Sequence, residues 1–80
     1  MSTLATETTP VLVVRLWFDE DMMHVLLSDG REVAVPVEWY PRLREATPEQ
    51  RDNYRLIGRG IGMHWDDFDE DISLASLLRH

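Results

Sequence analysis

The chain has 80 residues, no cysteine and a formal charge of −7. That length holds one small domain with a thin core, the missing cysteines exclude disulfide staples and thiolate metal sites, and the acidic balance argues against a dedicated nucleic-acid binder, which would carry a basic face. A content of 44% hydrophobic and 29% charged residues is globular rather than disordered, and every basic residue is arginine, so lysine Schiff-base and general-base chemistry is excluded.

Met1 to Pro10 is polar, Thr-rich and aperiodic, and reads as a disordered tail ahead of a single domain over residues 11–80. It has neither the basic nor the apolar region of a signal peptide. The longest apolar stretch, Val11 to Phe18, is too short to span a bilayer and is broken by Arg15, so a soluble, cytoplasmic domain is expected.

Val11 to Phe18 is β-branched and aromatic, which predicts a strand. Leu12, Val14, Leu16 and Phe18 form the expected core face, because the opposite face of Val11, Val13, Arg15 and Trp17 carries a guanidinium that must stay wet. Trp17 on that second face is a candidate partner contact. Asp19-Glu20-Asp21 is a charged turn.

Met22 to Ser28 and Arg31 to Val37 flank Asp29-Gly30, a hairpin signal. A two-residue turn would put Met22, His24 and Leu26 on the face of Val33, Val35 and Val37. A three-residue loop, Ser28-Asp29-Gly30 with Gly30 in the left-handed region, pairs Leu27 with Arg31. Met23, Val25 and Leu27 then join the three valines, and His24 and Glu32 go to the other side. The second register gathers six apolar residues on one face and is preferred. Pro36, which cannot donate to a ladder, marks this third strand as an edge.

From Glu38 to Ala46 the spacing of Trp39, Tyr40, Leu43 and Ala46 turns helical, with Pro41 in the first turn. Thr47-Pro48-Glu49-Gln50 supplies an N-cap, a proline at N1 and the third residue of a capping box, which starts a second helix running to about Tyr54. Arg51 and Arg55 would share one face of it. Glycine at every second position from Gly58 to Gly62 predicts an extended fourth segment whose bare side lets backbone approach closely, with Trp39 or Tyr40 as cover. Asp66 to Asp71 is an acidic turn, and Ile72, Ala75 and Leu78 recur at helical spacing behind a cap at Asp71 or Ser73. No internal repeat is evident. The fold class is α+β: a small antiparallel meander of three strands plus one extended segment, with two short helices and a C-terminal helical turn.

Charge is unevenly spread. Arg42, Arg44, Arg51, Arg55 and Arg59 outnumber Glu45, Glu49 and Asp52 in the middle, while both ends are acidic. Arg42, Arg51, Arg55 and Arg59 are candidate interaction residues, and equally candidates for pairing with the chain's own Asp66–Asp71 run. That run, with His64, is the alternative site: His64, Asp66, Asp67, Asp69, Glu70 and Asp71 could hold a ligand or a hard cation, although the spacing of a calcium loop is absent. The competing explanation is a solvated turn with a structural histidine. No serine or cysteine nucleophile stands in a recognisable setting, so no enzyme activity, catalytic residue or cofactor is expected.

The blocks Pro36-Val37-Glu38-Trp39-Tyr40-Pro41-Arg42-Leu43, Ala46-Thr47-Pro48-Glu49-Gln50-Arg51, Gly60-Ile61-Gly62-Met63-His64-Trp65 and Asp69-Glu70-Asp71-Ile72-Ser73 resemble, in order and spacing, a small bacterial family catalogued as domain of unknown function 2442. The resemblance implies a compact α+β fold and no established catalytic residue. It implies an antitoxin-like role beside a small protein from the adjacent gene. Some members add a helix-turn-helix domain that residues 1–80 do not contain, so nucleic-acid binding is not expected. The resulting expectation is a non-enzymatic protein-interaction module with a small, basic protein partner. Unpaired sheet edges leave a homodimer open.

Overall fold

The computed structural model describes residues 10–79; the expected N-terminal tail lies, apart from Pro10, outside the described residues. Two antiparallel three-stranded sheets are each built as a meander. The first holds β1 (Val13–Asp19), β2 (Met22–Leu27) and β3 (Glu32–Pro36), and the second holds β4 (Tyr54–Ile57), β5 (Gly62–Trp65) and β6 (Glu70–Ser73). Between them run a 3-10 turn (Val37–Trp39) and two short helices, α1 (Pro41–Arg44) and α2 (Pro48–Asp52); α3 (Leu74–Leu78) follows the last strand. The α+β class and the leading meander are as expected. The single extended segment is split into β4 and β5, because Gly58 and Gly60 turn the chain back instead of extending it, with φ of 54° and 123°, and β6 comes from residues read as the acidic turn and the start of the last helix.

The first hairpin has the preferred register. The Gly30 N–H donates to the Leu27 carbonyl at 3.0 Å, Leu27 donates to Arg31 at 2.8 Å, and Gly30 has φ of 94°. Met23, Val25, Leu27, Val35 and Val37 are buried, and His24 and Glu32 face outward together. β3 is an edge strand, as Pro36 requires.

β1 corrects the expected core face. Its pairing runs regularly from Asp19 opposite Met22 to Arg15 opposite Leu26, then slips so that Val13 faces Leu27. Val14 is the extra residue of a bulge, which inverts the alternation on its N-terminal side. Val13 is therefore buried at 2% exposure and Val14 stands 49% exposed, while Leu16 keeps its predicted place. With this change two N–H groups of β1 reach the second sheet: Val13 donates to the Gly60 carbonyl at 2.7 Å and Leu16 to the Tyr54 Oη at 3.1 Å. The close approach expected of the glycines is real, but its partners differ. A Cβ on Gly60 would collide with the backbone of Val13, and one on Gly62 would crowd that of Ile72; neither Trp39 nor Tyr40 is the cover.

The helices are shorter than predicted. Trp39 falls in the 3-10 turn and is exposed, while Tyr40 and Leu43 are buried. The capping box at Thr47 and Gln50 is complete, with bonds of 2.9 and 3.1 Å. Helix α2 ends at Asp52, so Arg55 sits on β4 and not beside Arg51. Ile72 belongs to β6, and Ser73 caps α3 through the Ser76 N–H at 3.0 Å. Both sheets contribute to one hydrophobic cluster, with Met23 from β2 and Met63 and Trp65 from β5 wholly buried in it.

Candidate functional site

Each of the candidate arginines on α1, α2 and β4 is engaged within the fold. From α1, Arg42 donates Nη1 to the carbonyls of Phe68 and Asp69, at 2.9 and 3.1 Å, with its Nε 3.9 Å from Glu70. From α2, Arg51 donates to the carbonyls of Leu43 and Arg44 at 2.8 and 3.0 Å, where α1 ends. Arg55 lies 3.4 Å from Asp66. Arg59, at the β4–β5 turn with φ of 67°, alone of the four has no ion pair or side-chain hydrogen bond among the described residues. The basic middle does pair with the acidic end, through Arg42–Glu70 and Arg55–Asp66.

Trp17 lies on the outer face of the first sheet, away from these arginines. It stacks on His24, directly across from it on β2, at 5.4 Å and 5° between planes, and the Arg15 guanidinium lies 4.4 Å from its ring. Its ring face is thus engaged by its own sheet. His24 holds Glu32 of β3 through Nδ1 at 2.8 Å.

The second sheet repeats this arrangement. Met63-His64 occupies the place on central strand β5 that Met23-His24 occupies on β2, with the methionine inward and the histidine outward. No sequence periodicity announces this, because only the dipeptide is shared. Arg55, His64 and Asp71 form one cross-strand row. His64 Nδ1 is bonded to Asp71 Oδ1, and its Nε2 is 2.9 Å from Asp66 Oδ1. The Asp71 hydrogen bond holds the His64 imidazole above its ordinary pKa, and the charges of Asp71 and Asp66 add to this, while burial and Arg55 oppose it.

The acidic run is therefore divided. Asp66 and Asp71 serve His64, Glu70 faces Arg42, and the Asp67 and Asp69 carboxylates stand apart. The two carboxylates on His64 sit at different ring nitrogens, so they cannot converge on one ion. Among the described residues no three of His, Cys, Asp and Glu are grouped to hold a metal. The structural reading of His64 accounts for its contacts with Asp66 and Asp71, and the cation reading finds no support in the geometry.

One surface feature escaped sequence reasoning. Between the end of β1 and α2 lies a groove of about 310 Å³, lined by Phe18, Glu20, Pro48, Arg51 and Asp52. Phe18 and Pro48 give it apolar walls, and Glu20 and Asp52 are exposed carboxylates that form no ion pair among the described residues. These two are far apart in the chain, and only the docking of α2 against β1 brings them together.

The family profile of proteins of unknown function, DUF2442, matches residues 13–80. The chain belongs to that family. It is also similar to a crystal structure of a protein of unknown function from Rhodospirillum rubrum, with a TM-score of 0.77 and 26% identity over 89% of this chain and 88% of that one. No functionally curated protein matches. Among the described residues of this DUF2442 chain, no helix is long and apolar enough to cross a membrane.

Proposed function

We propose that this DUF2442 domain is a non-enzymatic protein-interaction module, an antitoxin-like partner of a small basic protein. One observation carries the reading. Arg42, Arg51 and Arg55 are hydrogen-bonded or paired within the fold, whereas Glu20 and Asp52 have no ion pair among the described residues and line one partly apolar groove. At the groove the two carboxylates outnumber the one guanidinium, Arg51, whose bonds to carbonyls leave its charge in place, and they adjoin the apolar walls of Phe18 and Pro48. A basic side chain fits that combination: its stem packs on the walls and its charged end meets the rim. Complementary charge of this kind speeds encounter and sets partner choice.

Co-expression with the product of the adjacent gene tests the proposal. The two proteins should co-purify, and the double charge reversal Glu20→Lys with Asp52→Lys should weaken the complex by about tenfold or more, with binding that falls as salt rises. If the pair neither co-purifies nor alters each other's toxicity, the reading fails.

A further inference from the structure

We propose that His64 is a proton-operated latch on the acidic turn between β5 and β6: as an imidazolium it ties Asp66 to Asp71 across the turn, and on losing one proton it lets the turn open. The argument begins with donor counting. A neutral imidazole has one N–H and one bare nitrogen, whereas an imidazolium has two N–H groups. Both His64 nitrogens face carboxylate oxygens, Nδ1 towards Asp71 and Nε2 towards Asp66 at 2.9 Å. An ionised carboxylate only accepts, so the neutral ring leaves one of the two contacts as lone pair against lone pair. The closed arrangement needs both protons.

The charged groups facing His64 come from every neighbouring element. Asp71 is on β6 and Asp66 heads the turn, and Arg55 on β4 holds the other oxygen of Asp66 at 3.4 Å. The carboxylates outweigh the guanidinium, and the imidazole is held above its ordinary value of 6.5. The sign follows from linkage. A group whose folded pKa is raised contributes its full stabilisation below the unfolded value and loses it as pH rises through the folded value. The latch is therefore closed on the acid side and opens towards the alkaline side. Phe68, stacked on Trp65 at 6.1 Å, and the Arg42 bonds to the Phe68 and Asp69 carbonyls keep the rest of the turn attached. Release consequently frees carboxylates and leaves the sheet intact. That these carboxylates then reach a basic partner rests on the function proposed above; the latch itself does not.

The test follows the His64 ring signal and the amide exchange of Asp66 and Asp67, the part of the turn that Arg42 and Trp65 do not hold, by NMR across a pH series, with intrinsic exchange corrected. The ring midpoint should lie above 6.5, and turn opening should increase through that midpoint by about tenfold per unit of elevation. Asp71→Asn should bring the midpoint down, and His64→Gln should abolish the pH step in exchange. A His64 midpoint at or below its ordinary value, or a step that survives His64→Gln, overturns the latch. A latch that titrates as described while no partner binds at any pH removes only the interaction reading.

Discussion

The Val13 amide nitrogen lies 2.7 Å from the Gly60 carbonyl oxygen, and this hydrogen bond joins the edge of β1 to the loop between β4 and β5. It exists because two irregularities coincide. The bulge at Val14 turns the Val13 N–H outward, and Gly60, at φ of 123°, brings its backbone where a side chain would not fit. Gly60→Ala should therefore destabilise the domain by about 3 kcal/mol or more, from backbone strain and overpacking together. Urea denaturation checks this, with Gly30→Ala as the comparison: strained at φ of 94° but in open space, it should cost less.

The bulge itself can be tested by a pair of neighbours. Val13→Ala removes buried methyl groups and should cost about 2 kcal/mol. Val14→Thr, half exposed, should fall within about 0.5 kcal/mol of the parent. Equal costs, or the reverse order, would restore the regular alternation that the bare pattern of Leu12, Val14, Leu16 and Phe18 suggests.

Trp65 is wholly buried, and its Nε1–H donates to the Arg51 carbonyl at 2.9 Å. This bond ties β5 to α2 and so holds one wall of the acidic groove. Trp65→Phe should cost about 2–4 kcal/mol, because it leaves both a cavity and an unpaired acceptor. Thr47→Ala, which removes only the α2 cap, should cost about 1 kcal/mol. Thermal unfolding of the two variants separates the contributions.

Asp29 gives a pH dependence of opposite sign to that of His64. The Arg31 backbone N–H, 3.0 Å from Oδ1, holds its carboxyl below the ordinary 3.8, with the Arg31 side chain adding to it and burial opposing it. A lowered carboxylate contributes stability above its unfolded pKa, and that contribution is lost as pH falls through the folded value. The carboxyl carbon signal should titrate below 3.8. It should remain depressed in Arg31→Ala, because the larger contribution comes from the main chain, which that substitution keeps.

How legible each feature is depends on how local its cause is. The Asp29-Gly30 hairpin and the Thr47 capping box follow from residues a few positions apart, and both stand as read. The outward pairing of His24 with Glu32 follows from the register chosen for that hairpin. The second sheet is less legible, since each of its strands has only four residues and Gly58, Gly60 and Gly62 supply no side-chain alternation to read. The acidic run reads as one cluster because charge is visible in sequence and direction is not. Its members separate once the β5–β6 register sends Asp71 to His64 and places Glu70 by Arg42.

By itself the sequence determined the small α+β domain, the register of the first hairpin, the cap of α2 and the family, since these rest on short-range chemistry and ordered motifs. Only the tertiary structure decided that Val13 rather than Val14 is buried, that Arg42, Arg51 and Arg55 are engaged inside the fold, and that Glu20 and Asp52 line one groove. Each of those depends on which distant backbone lies alongside, and contacts between residues far apart in the chain leave no periodic trace in it.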